Sequence, residues 1–244
     1  MKIAGNWLDH RGTQDLCLAL ESAGCRALFV GGCVRNALLV EPVGDVDIAT
    51  DATPENVTNI AETAGFKVVP TGIDHGTVTV IAAGKPHEVT TFRRDVETDG
   101  RRAVVAYSTR IEEDAQRRDF TMNALYADRH GTVLDPLNGL PDLRARRVRF
   151  VGDPETRIRE DYLRILRFFR FHAAYGDPAQ GLDAESLAAC AASSAGLETI
   201  SRERIGAEMR KLLAAQDPAP AVAAMAHAGI LRLVLPGSDP RALA

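Results

Sequence analysis

Apolar positions along the chain recur in two rhythms. Over 7–24, Leu8, Leu16 and Leu20 share one side of a helical repeat, which predicts an amphipathic helix. Three apolar residues at 28–30 predict a buried strand. It empties into Gly31-Gly32 and then a helix over 33–40. After a loop at 41–44, Asp45-Val46-Asp47-Ile48 alternates with the two-residue period of a strand, so Asp45 and Asp47 are expected on one face. Thr53, Pro54 and Glu55 read as cap, first position and first-turn acid of a helix that Gly65 closes. Strands follow at 66–70, 77–82 and 87–92, joined by a loop at 72–76 and a turn at Ala83-Gly84-Lys85. Short strands in β-α-β-β-β order predict an α+β core with a small mixed or antiparallel sheet, unlike a long βαβ array.

Beyond this core the pattern turns polar and then helical. The stretch 93–109 has little periodicity and reads as a mobile loop. A helix is expected over 111–125, with Ala115, Phe120, Met122 and Leu125 apolar, followed by a hairpin of 125–128 and 132–134. Asp153 and Pro154 start a helix expected to run unbroken to Tyr175, with Ile158, Tyr162, Ile165, Leu166 and Phe169 on its buried face. Further helices are expected over 182–194, 201–215 and 218–235. The junction near Val151 to Pro154 divides the chain into a domain of 1–150 and a helical domain of 151–244.

Composition narrows the class. The 244 residues can bury a real core, with ordinary apolar and charged fractions. Cys17, Cys25, Cys33 and Cys190 show no CxxC pairing, so neither a zinc site nor a disulfide framework is indicated. Without an apolar span or signal-peptide pattern, the expectation is a cytosolic chain with no membrane role. Net charge is −4, yet arginines cluster at Arg101-Arg102, Arg117-Arg118, and Arg144 to Arg149.

Two glycines between a strand and a helix leave backbone N–H groups open to a phosphate, with Arg35 one turn on. The carboxylates of Asp45 and Asp47 suit a hard divalent cation. Together they describe a nucleoside triphosphate with its magnesium. Two further strings carry chemistry. RRDFTMNA carries Arg117, Arg118 and Asp119 as a charged run on the expected helix. In REDYLRILRFFRF, Asp161 and Arg164 are i,i+3 neighbours with Arg167 and Arg170 further round.

GGCVRNALL followed by DVDIAT resembles the signature of class II tRNA nucleotidyltransferases (CCA-adding enzymes) and bacterial poly(A) polymerases, within the polymerase-β-like superfamily. One departure is Asn36, where the family usually has Asp. The resemblance runs from about 25 to 213 with its motifs in order, and it implies a nucleotidyltransferase head followed by a neck and part of a body. It implies Asp45 and Asp47 as metal-binding catalytic acids supported by Glu88, with Mg2+ as cofactor. It places Gly31, Gly32, Arg35 and Arg118 on the triphosphate, and Asp119 and Asn123 at the sugar or the helix that carries it. It makes Asp161 and Arg164 the readers of the base, with Arg167 and Arg170 nearby. A carboxylate accepts from the exocyclic amine that C and A share, and a guanidinium donates to the ring acceptor beside it, so the pair selects C and A without a template. The implied reaction is addition of C and A from CTP and ATP to the 3′ end of tRNA. Alternatives are poly(A) polymerase and a non-catalytic nucleotide- or RNA-binding relative. The loop at 93–109 corresponds to one associated with switching to the final A.

Overall fold

The computed structural model describes residues 1–94, 106–239 and 241. They divide into two compact units, Met1–Arg118 with Met122–Leu140, and Asp119–Thr121 with Pro141–Ala244.

The first unit is α+β. Its order is α1 (Arg11–Ser22), β1 (Leu28–Val30), α2 (Gly32–Leu39), β2 (Asp47–Thr50), α3 (Pro54–Thr63), β3 (Lys67–Val69), β4 (Thr77–Ala82) and β5 (Lys85–Thr91). A ribbon of β6 (Arg93–Arg94) and β7 (Ala106–Tyr107) follows, then α4 (Ile111–Gln116) and the hairpin β8 (Tyr126–Ala127) and β9 (Val133–Leu134). Seven strands form one sheet in the order β3-β4-β5-β2-β1-β8-β9. β2 and β5 run parallel and the other neighbours antiparallel, the mixed sheet that the short strands predict.

Alternation explains how the sheet carries a site. In β4, Val78, Val80 and Ala82 are buried; in β5, so are His87, Val89 and Thr91. α1 and α3 pack against β4. His87 reaches α1, its Nε2 accepting from the buried Thr13 hydroxyl at 2.8 Å while Nδ1 donates to the Lys85 carbonyl. Glu88, between buried neighbours, faces the opposite side.

The second unit is helical beyond its bridge: α5 (Leu140–Arg144), which begins at the division, then α6 (Pro154–Glu160), α7 (Leu163–Tyr175), α8 (Ala184–Ala192), α9 (Arg202–Leu213), α10 (Ala219–His227) and α11 (Leu231–Val234). α7 packs on α9 and α10. Side-chain caps start several helices where the sequence places them: Asp153 accepts from Thr156 N, Asp183 from Ser186 N, and Ser201 from Arg204 N.

Five expectations need correcting. The helix expected over 111–125 stops at Gln116; Thr121 N donates to Arg149 O and Val151 N to Asp119 O, a bridge that pulls the chain out of helical geometry. It seats Phe120 against Phe150, Phe168 and Phe171 with centroids 5.0–6.5 Å apart. The division between the units falls at Leu140, ten residues before the expected 150, with Asp119–Thr121 in the helical unit. The helix from Pro154 breaks at Asp161, whose backbone is extended. The Asp161 carboxylate accepts from Leu163 N, so it starts α7 instead of continuing α6. Tyr162 packs where only a glycine fits, a Cβ on Gly196 falling 2.0 Å from its ring. The helix expected over 218–235 divides at Gly229, in left-handed geometry at φ +74°. Finally, the stretch 93–109 begins and ends as the β6–β7 ribbon, and its remainder, 95–105, lies outside the described residues.

Candidate functional site

In the first unit the acids and the glycine turn converge. Parallel pairing of β2 with β5 sets Asp47 opposite Glu88. Asp45 lies ahead of β2, exposed, so the strand begins at Asp47 and not at 45 as expected. Burial, then the charges of Glu88 and Asp45, push the Asp47 carboxyl up to about 6 against the pull of Arg118. The Asp47 carboxylate thus sits where its charge is disfavoured, a cost that a cation relieves. Among the described residues no three His, Cys, Asp or Glu groups converge into a ready metal cage.

The glycine turn lies beside these acids. Gly31 has φ +70° and ψ −117°, a backbone open to glycine, and precedes α2 as its cap. The Cys33 thiol donates to Val30 O at 3.4 Å and lies 4.0 Å from Asp47 O, which ties the first turn of α2 to β2. Its pKa is pushed up to about 11 by burial and the Asp47 charge.

Arg35 and Asn123, assigned separately from the sequence, meet. Arg35 is buried, and its Nη1 donates to Asn123 Oδ1 at 2.5 Å. Its Nε and Nη2 donate to Asn36 Oδ1 at 3.1 and 2.8 Å, and Asn36 Nδ2 donates to Pro42 O. Asn36 therefore holds the arginine from one side and the following loop from the other. A neutral amide accomplishes both, because it accepts and donates where a carboxylate only accepts.

Arg118 Nε donates to the Tyr126 hydroxyl at 3.0 Å and Nη2 to Asp114 Oδ2 at 2.9 Å. Nη1 is turned toward the glycine turn, 3.4 Å from where a Cβ on Gly31 would sit. Asp114 was not singled out from the sequence. It looks like one of three first-turn acids, Glu112, Glu113 and Asp114, and only its burial distinguishes it.

In the second unit, Asp119 accepts from Arg167 at 2.9 and 2.5 Å and from its neighbour Phe120 N. Burial opposes the Arg167 charge, but Asp119 outweighs it and raises the pKa. Arg170 donates to Glu208 Oε2 at 2.6 Å and stacks 4.4 Å over Phe171. Asp161 accepts from Arg204 Nη2 at 2.7 Å, while Arg164 donates to the Arg157 carbonyl and to Glu160. The break before α7 thus takes Asp161 and Arg164 off a common helical stripe and gives each another partner. Arg204, on α9, is a contact that periodicity places on a face without revealing what it meets. The helical unit also has a cleft of about 510 Å³ lined by Leu197, Ile205, Met209 and Leu235; none of the residues discussed above lines it.

Comparisons with known proteins agree with this layout. The family described as the poly A polymerase head domain matches residues 27–149, and the probable RNA- and SrmB-binding site of polymerase A matches 181–241. A CCA-adding enzyme of Geobacillus thermodenitrificans is 43% identical over 220 residues, covering 89% of this chain and 52% of the relative. The mitochondrial CCA tRNA nucleotidyltransferase 1 of Homo sapiens is 43% identical over 186 residues, covering 76% of this chain and 43% of the relative. The Bacillus stearothermophilus CCA-adding enzyme solved in complex with CTP superposes with a TM-score of 0.80 at 40% identity, covering 90% of this chain and 52% of that one. The chain spans about half the length of the curated relatives it matches. Among the described residues no helix is long and apolar enough to cross a membrane.

Proposed function

This chain belongs to the family of CCA-adding enzymes and bacterial poly(A) polymerases, and from that premise we propose that it transfers nucleotides from CTP and ATP to the 3′ end of tRNA. The observation that carries the reading is the pairing of Asp47 with Glu88 beside the Gly31 turn, with Arg118 turned toward that turn. Carboxylates for a cation and donors for an anion meet at the central strands β5, β2 and β1.

Asp45 and Asp47 would hold magnesium, with Glu88 in support. Bound there, the ion would lower the pKa of the attacking 3′-hydroxyl and neutralise the triphosphate. The chain's own groups do the positioning. Backbone N–H groups of the Gly31-Gly32 turn and Arg118 take the phosphates. Arg35, held by Asn36 and Asn123, fixes the first turn of α2 and adds positive charge. Asp119 and Arg167 address the sugar, with Arg170 braced by Glu208 close by. Asp161 accepts from the exocyclic amine of C or A and Arg164 donates to the ring acceptor, so a base takes over bonds now made by Arg204 and Glu160. Four free thiols, three of them buried, suit a reducing compartment such as the cytosol.

Equilibrium binding of the four ribonucleoside triphosphates with magnesium tests the reading. CTP and ATP bind, UTP and GTP bind at least tenfold more weakly, and Arg164→Ala erases the preference. Equal binding of all four by the unsubstituted chain would contradict the assigned base readers. The poly(A) polymerase alternative shares the same head and is separated by the product that forms.

A further inference from the structure

Outside the residues that meet substrate, one buried group gathers more partners than its place in the sequence suggests. Asp114 is 1% exposed, and four donors converge on its two oxygens. Oδ1 accepts from Arg117 Nε at 3.0 Å and Arg93 N at 3.3 Å; Oδ2 accepts from Arg118 Nη2 at 2.9 Å and the Tyr126 hydroxyl at 2.7 Å. The Tyr126 hydroxyl in turn accepts from Arg118 Nε, closing a three-membered ring of hydrogen bonds around one edge of the guanidinium. The Arg118 plane also lies over the Tyr126 ring, 5.2 Å from its centroid. Two bonds and a stacking contact leave the guanidinium one orientation, and that orientation turns Nη1 toward the Gly31 turn.

We infer that Asp114 and Tyr126 are positioning residues for triphosphate binding, acting by aiming Arg118 at the phosphates. The inference rests on the nucleotide site proposed above. A half-buried arginine that must meet phosphate gains from having its rotamers fixed beforehand, because less freedom is lost on binding. Asp114 performs that task from beneath. Burial works against its charge, but Arg118, Arg117 and Tyr126 outweigh the burial and hold its carboxyl down at about 2. It therefore stays ionised across the working pH range. The same carboxylate accepts from the backbone of Arg93 in β6, while Ser108, just beyond β7, donates to Glu113 on the same helix at 2.6 Å. The ends of the β6–β7 ribbon are thus tied to the turn of α4 that orients Arg118.

The test compares ligands with and without the outer phosphates. CTP, CMP and inorganic triphosphate are titrated into the unsubstituted chain, Asp114→Asn and Tyr126→Phe, with the melting temperature of each recorded. Asp114→Asn is expected to weaken CTP and triphosphate at least tenfold and CMP less than twofold. Tyr126→Phe, which keeps the ring and the fold, is expected to weaken CTP and triphosphate several-fold with CMP again unmoved. A purely structural role would lower all three affinities together with the melting temperature, and that result overturns the inference. Unchanged CTP binding in both variants overturns it as well, while leaving the nucleotide site standing. Failure of the unsubstituted chain to bind CTP and triphosphate overturns the site and the inference together.

Discussion

Replacing Asp47 by Asn is expected to stabilise the metal-free protein, because the site holds a carboxylate where folding disfavours its charge. The Asp47 carboxyl titrates at about 6 instead of the ordinary 3.8, from burial and from Glu88 and Asp45. A rise of that size corresponds to about 3 kcal/mol at neutral pH. Asp47 is only half-buried, and solvent screening reduces this to ~1.5 kcal/mol. The sign follows from the protons bound. Between 3.8 and 6 the folded chain holds a proton the unfolded chain has released, so stability falls as pH rises through that window and stays low above it. Asn carries no such penalty. At about 2–4 °C per kcal/mol for a chain of this size, Asp47→Asn melts roughly 3–6 °C higher at pH 8. The gap narrows toward pH 4.5, where the native carboxyl is protonated. Calorimetry of both proteins in chelator at the two pH values measures it. Magnesium added at pH 8 raises the melting temperature of the native chain and not of the variant. A variant that melts at or below the native temperature at pH 8 would refute the claim that burial and the neighbouring acids disfavour the Asp47 charge.

Two further perturbations probe the frame around the site. Thr13→Val keeps the volume but leaves the buried His87 Nε2 without its 2.8 Å partner, and costs about 1–3 kcal/mol in urea unfolding at pH 7. Burial lowers the pKa of His87, as it does for His172, so this stability is present above pH 6.5 and lost as pH falls below it; His87→Gln flattens that decline. Gly196→Ala drives a methyl group into the Tyr162 ring, and is expected to cost about 1–3 kcal/mol and weaken the discrimination between CTP and UTP, read by urea unfolding and nucleotide titration.

What the chain reveals before folding follows from the range of the interactions. Thr53, Asp153 and Ser201 cap helices through bonds to an amide three residues on, so residue type and spacing suffice to find them. The strand rhythm of β4 and β5 is likewise local. The bend at Asp161 is not, since the apolar repeat passes through it without interruption. It depends on the Asp161 carboxylate accepting from Leu163 N and on Tyr162 meeting Gly196, 34 positions away in the sequence. The break after Gln116 has the same origin, in a bridge from Asp119 and Thr121 to the segment around Phe150. At the site, residue types point to Asp47, Glu88 and Arg118, but only the β2–β5 register brings Asp47 and Glu88 opposite each other. Asp114 is the residue sequence reasoning passes over, because three successive acids in a first helical turn look alike until one is buried.

The most direct test of the account is extension of a tRNA transcript lacking its 3′ CCA. Labelled CTP, ATP, UTP and GTP are offered singly and together, with magnesium, to the native chain and to Asp47→Asn. The account predicts CC from CTP alone, one terminal A when ATP is added, refusal of UTP and GTP, and no product from the variant. A long A tail on unrelated RNA would assign the chain to the poly(A) polymerases. Incorporation of all four nucleotides, or of none by a chain that binds CTP, would contradict the central claim.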